Sequence, residues 1–400
     1  MDELEQDLRE VAAIGADGDG VKRLAWSPEL LEAYSWFARR GAELGLAHDV
    51  DAAGNAFLRW GAGVGPALLL GSHLDSVPSA GRYDGTLGVL TGLDVLRSLK
   101  GRGVAPRKPV WLTAFMDEEG TRFGTALLGS KAFVGHDLGG AGERKDAGGT
   151  TLRDAMRSWG CDFDRLAEAR AIDTIDGYLE LHIEQGPVLE DEGLDVGVVT
   201  SIVGLLGLHV RFEGQANHAG TTPMRLRRDA FAGAARVALE LRDLALASEG
   251  MTTNVGVVTI ENSGKNVVPG ACEFTIDIRS ASRAGYDRLD AQARGIVARI
   301  AAEERLAATV GELYRLDPVP MDAAMIDALE RAADCEGASF RRMPSGAGHD
   351  AMILGAVVPA GMLFVPSRGG VSHNPAEHTT PAQCSIGSRV LARAVESLVA

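Results

Sequence analysis

ALLLGSHLDSVPSAGRYDGTLG, residues 67–88, is the stretch on which the reading of the fold turns. Residues 67–72 form a short apolar run that predicts a buried strand. His73 ends the run and Asp75 follows two residues later. A turn of Pro, Ser, Ala and Gly (78–81) leads to Asp84-Gly85. Leu87, Leu90, Leu93, Leu96 and Leu99 then recur every three residues, which predicts a helix. A His and an Asp therefore sit where a strand ends and the next helix begins. In open α/β sheets that edge is where ligands collect.

The rest of the chain sets bounds. Its 400 residues exceed what one core usually serves, so two domains are expected. A net charge of -15 argues against a nucleic-acid partner. The acidic start, MDELEQDLRE, does not read as a signal peptide, and the most apolar window, 196–210, is too short and interrupted to span a membrane. Cys161, Cys272, Cys335 and Cys384 are scattered without a CxxC pair and read as free thiols of a cytoplasmic protein. GADGDG (15–20) lacks the later ligands of a calcium loop, and GAGVGP (61–66) reads as a turn rather than a phosphate loop.

Taken in order, residues 3–14 and 28–45 read as helices, the second capped by Ser27 with Pro28 in its first turn. Residues 49–60 hold an Ala-Gly-Asn turn and a strand. A second buried strand, 110–116, runs into Asp117-Glu118-Glu119-Gly120. Residues 151–170 read as helical. A third strand, 178–183, carries His182. Between 206 and 316 the pattern becomes strand 206–213, helix 227–246, strands 253–260 and 272–279, helix 284–306 and strand 309–316. Phe231, Ala234, Ala238, Leu241 and Leu244 are expected on the buried face of the first helix. This order is the ferredoxin-like split βαβ unit. Helix 321–336, strand 361–365 and helix 381–399 resume the first pattern. The expected fold is a mixed-sheet α/β catalytic domain (1–205 and 317–400) with an inserted α+β domain (206–316).

Five ligand-type side chains fall at predicted strand ends or in the loops after them: His73, Asp84, Glu119, His182 and His373. Three imidazoles and two carboxylates suit Zn²⁺, Mn²⁺, Co²⁺ or Ni²⁺ better than Ca²⁺ or Mg²⁺. Two ions fit the count if one carboxylate bridges, and Asp84 is the choice for the bridge. Such a pair, roughly 3.5–4 Å apart, activates water and stabilises an oxyanion. A lone His is more often structural, and a lone Asp before Gly is usually a turn residue. Their common location at one sheet edge is what outweighs those readings. Glu118 and Glu119 leave a strand in different directions, so one can bind metal while the other acts as a general base.

Seven stretches together carry a resemblance. HLDSVPSAGRYDGTLGVL (73–90), DEEGTRFGTALLGSKAF (117–133), ELHIEQGPVLE (180–190), GQANHAGTTPM (214–224), NVVPG (266–270) with FTIDIR (274–279), SGAGHDA (345–351) and FVPSRGGVSHNPAEHT (364–379) are similar to those of hydantoinase/carbamoylase-type amidases. These amidases belong with the dinuclear metallohydrolases that include aminoacylases and carboxypeptidase G. The likeness runs from about residue 20 to the C-terminus.

The resemblance implies that His73, Asp84 and His182 hold one divalent metal and Asp84, Glu119 and His373 a second, with Glu118 as base. It implies a lid and dimerisation role for 206–316, with hinges near Gly204 and Pro318, and a His218 that completes the neighbouring subunit's oxyanion pocket. Arg279 would take a substrate carboxylate in its fork. Asn266, Gln185, Gly346 and His349 are further expected substrate contacts, with His349 also able simply to orient its loop beside Asp350. One departure stands out: Asp117 lies where this branch often has Asn, and is expected to add a charge beside Glu118. The implied activity is hydrolysis of N-carbamoyl-L-amino acids. Allantoate amidohydrolase and β-ureidopropionase activities are the alternatives, and a non-catalytic binder is disfavoured by the full ligand set.

Overall fold

The computed structural model describes residues 3–61, 65–248 and 250–400. Part of the turn expected across 61–66 lies outside them. The chain divides into two compact units: Met1–Thr200 with Met321–Met343 and Ala347–Ala400, and Ser201–Pro320 with Pro344–Gly346.

The first unit is built on a mixed sheet. At its centre four parallel strands lie in the order Ala360–Val365, Ile175–Ile183, Ala67–His73, Val110–Phe115. Ala56–Trp60 and Ala47–Val50 extend one side antiparallel, and Val196–Ile202 borders the other. The two middle strands are buried along nearly their whole length, as expected for parallel strands covered on both faces. Helix Thr86–Gly101 follows the opening stretch. All five of its predicted leucines are buried, with Val89 and Val95 beside them. Register places His73 opposite Phe115 and His182 opposite Phe364. The C-terminal ends of all four parallel strands thus open on one edge.

Arg23 ties the N-terminal segment to that edge. It is 1 % exposed. Its guanidinium donates to the carbonyls of Leu74 (2.8 Å), Val11 and Ile14 and to the Thr86 hydroxyl (2.7 Å).

The second unit carries a four-strand antiparallel path, Met251–Asn254, Ala271–Ser280, Gly204–Glu213, Ala307–Leu316. Helices Ala230–Leu246 and Arg283–Glu303 supply apolar residues to one core with Leu206, Leu208, Val210, Phe212, Phe274, Ile276 and Ile278. Strand Ala271–Ser280 alternates strictly between buried and half-buried positions, the period-2 pattern of a sheet with one covered face. On the alternate positions Arg211 pairs with Glu213, Glu261 and Glu273.

Several local expectations change. The single strand 253–260 is two, Met251–Asn254 and Val258–Glu261, which pair in succession with Ala271–Ser280. The helix expected from 227 starts at Ala230, because the Asp229 carboxylate caps it by accepting from the N–H groups of Phe231 and Ala232. The buried stripe is Ala230, Gly233, Ala234, Val237 and Leu241, with Leu244 packed partly buried against the core, and Phe231 is exposed. The helix expected over 151–170 is an α-helix, Leu152–Ser158, followed by a 3-10 segment, Phe163–Ala169, with its own cap at Asp162. Ser27 and Pro28 open helix Pro28–Glu43 as expected.

Candidate metal centre

The edge where the parallel strands end gathers the five expected ligand residues. His73 terminates its strand, and its Nδ1 lies 3.0 Å from the Asp75 carbonyl oxygen. That leaves Nε2 facing Asp84 Oδ1 at 3.7 Å. His182 Nε2 lies 3.2 Å from the same oxygen, with its Nδ1 held at 2.9 Å from the Ile183 carbonyl. The other carboxylate oxygen, Asp84 Oδ2, lies 3.3 Å from His373 Nε2, which in turn is 3.5 Å from Glu119 Oε2. Two groups with mutually close donor atoms result, His73/Asp84/His182 and Asp84/Glu119/His373. Asp84 belongs to both, through different oxygens. Gly85 makes room: its φ is +61°, and a Cβ there would stand 2.3 Å from the His73 ring.

A third close group, Glu180/His182/His349, is of another kind. The Glu180 oxygens already accept from Ser72 Oγ, Tyr178 OH and the Ala351 N–H. His349 is 2 % exposed and sits edge-on to His182, with centroids 4.5 Å apart. Burial, reinforced by His182, holds its pKa well below the usual imidazole range. Packing rather than an open contact surface is thus what the structure gives His349.

Electrostatics mark the centre as cation-seeking. Asp75, Asp84, Glu180, Asp350 and Glu377 are all buried around it. Burial, then Glu119 and Asp350, pushes Glu118 well above the usual carboxylate range; burial, then Asp84, pushes Glu119 up to about 8. Against burial, Asp84 is held well below that range by its contacts with His182 and His373. Burial lowers the His182 pKa, but Asp84 and Glu180 outweigh it and lift it to about 9. Asp84 lifts His373 to about 9 as well. Buried Glu119 Oε1 has no hydrogen-bond partner among the described residues. An acceptor of that kind without a donor, in a crowd of carboxylates, fits an N/O-ligated divalent cation, which would also return the raised acids to carboxylates.

Glu118 Oε2 lies 3.7 Å from His73 Nε2, beside the centre. The Asp75 carboxylate accepts the N–H groups of Glu118 (3.3 Å) and Glu119 (3.2 Å), so one residue steadies both His73 and the acid pair. Its His-x-Asp spacing was visible in the sequence; its reach to the second loop was not. Asp117 precedes this pair. It is 1 % exposed with a left-handed φ of 57°, and Thr125 donates to it. Burial, then Asp75, pushes its pKa well above the carboxylate range. Burial and the Thr125 hydroxyl are thus what surround the carboxyl at the position where an added charge beside Glu118 was expected.

Gln185, an expected substrate contact, lies beside Asp84. Its side-chain nitrogen donates to Asp84 Oδ2 (2.8 Å) and Ser372 Oγ (3.2 Å), so its donor side serves the shared carboxylate.

In the second unit, His218 and Asn266 come together on a two-stranded ribbon, Asn217–His218 with Val267–Val268, and the Ala219 N–H donates to the Asn266 carbonyl. His218 Nδ1 accepts the N–H groups of Gly220 (3.1 Å) and Thr221 (3.2 Å). In the neutral ring this puts the proton on Nε2, as an outward donor. Arg279 lies elsewhere on the unit: Nε donates to Asp277 (2.8 Å) and Nη1 to the Gly346 carbonyl (2.7 Å).

Comparisons with known proteins bear on this arrangement. The model of Peptidase family M20/M25/M40 matches residues 69–397. An N-carbamoyl-L-amino acid amidohydrolase of Geobacillus stearothermophilus is 39 % identical over 99 % of this chain and 98 % of its own. An allantoate amidohydrolase of Bacillus subtilis (strain 168) is 38 % identical over 95 % of this chain and 93 % of its own. Among solved structures, a hydantoinase/carbamoylase family amidase from Burkholderia multivorans superposes with a TM-score of 0.91 at 36 % identity, covering 99 % of this chain and 97 % of that one.

Proposed function

Because the chain belongs to peptidase family M20/M25/M40, in its hydantoinase/carbamoylase branch, we propose that it hydrolyses the carbamoyl C–N bond of N-carbamoyl-L-amino acids. The observation that carries the reading is Asp84, shared through its two oxygens between two groups of donors. His73, Asp84 and His182 would hold one divalent ion, and Asp84, Glu119 and His373 a second. Bound there, Zn²⁺, Mn²⁺, Co²⁺ or Ni²⁺ would acidify water and draw off charge from the attacked carbonyl oxygen.

This chain's residues supply the rest. Glu118, as carboxylate, takes the proton of the attacking water and passes it to the nitrogen of the leaving amino acid. The N–CO bond breaks, and the carbamic acid formed decays to CO₂ and ammonia. His218 offers its Nε2 proton to the developing oxyanion, Asn266 and Gln185 position the ureido group, and Arg279 takes the substrate carboxylate. By resemblance residues 206–316 act as lid and dimer interface, and His218 serves the neighbouring subunit. None of the four cysteines forms a disulfide, and among the described residues no helix is long and apolar enough to cross a membrane. The proposed state is a cytoplasmic homodimer.

Allantoate is the second reading, favoured by the Bacillus subtilis relative and by a carboxylate and ureido group that the same residues would meet. The test is ammonia release by metal-analysed protein over a panel of N-carbamoyl-L-amino acids, their D-isomers, carboxyl-amidated forms and allantoate. L-carbamoyl substrates should turn over fastest and the amidated forms poorly. Allantoate outpacing every carbamoyl amino acid would move the assignment to the second reading.

A further inference from the structure

Behind Asp84 stands a carboxylate that the proposed chemistry does not use. Glu377 is 3 % exposed and lies four residues after His373. One oxygen, Oε1, accepts the N–H groups of Tyr83 (2.9 Å) and Asp84 (3.1 Å). The other, Oε2, lies 3.3 Å from Ser372 Oγ, and that hydroxyl donates to Asp84 Oδ2 at 2.8 Å. The bonds converge on Asp84 from two sides, backbone and side chain. They also join the loop that carries Asp84 to the loop that carries His373. Gly81 leaves the space: a Cβ there would fall 2.2 Å from Glu377 Oε1.

A second carboxylate buried beside Asp84 is a poor choice for a mere fold staple. Like charges in a low-dielectric interior repel strongly unless a cation lies near. We propose that Glu377 is a positioning residue for the cation centre: it sets the orientation of the shared ligand Asp84 and its spacing from His373. The inference rests on the metal reading above and concerns a residue outside its ligand set.

The test is binding of Zn²⁺ and Co²⁺ to metal-free protein, by equilibrium dialysis and by the visible spectrum of the cobalt form. Glu377→Ala should weaken binding roughly 10–100-fold, the range for residues that orient metal ligands, and should alter the cobalt spectrum. Glu377→Gln keeps an oxygen for both N–H groups and should stay within a few-fold of the unsubstituted protein. Glu377→Asp keeps the charge but loses reach, and should follow the alanine variant; it carries the test if the alanine variant does not fold. Unchanged binding and spectrum in Glu377→Asp would overturn the proposal, as would a Gln variant as weak as the Asp variant. If the unsubstituted protein binds no divalent ion, the reading of the centre itself falls, a result distinct from either.

Discussion

The two units present their site residues in opposite ways. In the first, His73, Asp84 and His182 are buried and hold one another through a web of contacts only a few ångströms long. In the second, His218 and Asn266 are exposed and held by backbone, on a ribbon whose N–H groups fix one imidazole nitrogen. A buried centre with surplus acid needs a partner of opposite charge simply to be stable as carboxylates. An exposed donor has no such need and becomes meaningful only with a substrate. The first arrangement should therefore respond to metal, and the second to substrate and to oligomeric state.

The largest expected effect is on the first unit. Chelation should abolish turnover and lower Tm, and Zn²⁺ or Mn²⁺ should restore both, because an ion that binds only the folded chain stabilises it by mass action. Equal activity and Tm in metal-free protein would break the contrast. Next comes the division within the acid pair. Glu118→Gln should keep metal content and lower kcat by at least roughly 10²-fold, whereas Glu119→Gln should reduce metal occupancy; metal analysis beside steady-state kinetics separates them, and identical behaviour would refute the division.

The second unit is probed by mixing. Glu118→Gln and His218→Ala chains, each inactive alone, should regain part of the activity when co-refolded into heterodimers. Heterodimers shown to be present yet inactive would confine His218 to its own chain or remove it from the chemistry. The smallest effect concerns the second unit's core. Leu241→Ala should cost about 2–5 kcal/mol in urea unfolding, while Phe231→Ala should stay within about 0.5 kcal/mol. The reverse ranking would contradict the helix phase described above.

The candidate ligand residues could be picked out because they obey a local rule: an apolar run ends, and a His or a carboxylate follows. His73, His182 and Glu119 each stand in or just after such a run. What escaped is what depends on long-range approach. Glu377 meets Asp84 across 293 positions of sequence, and no spacing rule connects them. His349 follows a Gly-rich stretch and looks like a loop residue, but the helix start at Asp350 turns it inward onto His182. The burial that raises the Asp117 pKa is not something composition can reveal. In the second unit, strand alternation showed the order of elements, while a large apolar residue in the helix's first turn, Phe231, proved exposed.

Arg23 has a consequence for what counts as the smallest workable form of this protein. The family pattern begins at residue 69, yet the guanidinium that satisfies the Leu74 carbonyl and the Thr86 hydroxyl comes from before it, anchored in turn by the carbonyls of Val11 and Ile14. A chain trimmed to the recognisable pattern would leave those two groups in the interior without their donor, at about 1–3 kcal/mol each, on either side of the shared aspartate. The stretch that the family model matches is thus smaller than the hydrogen-bonded unit around the shared aspartate.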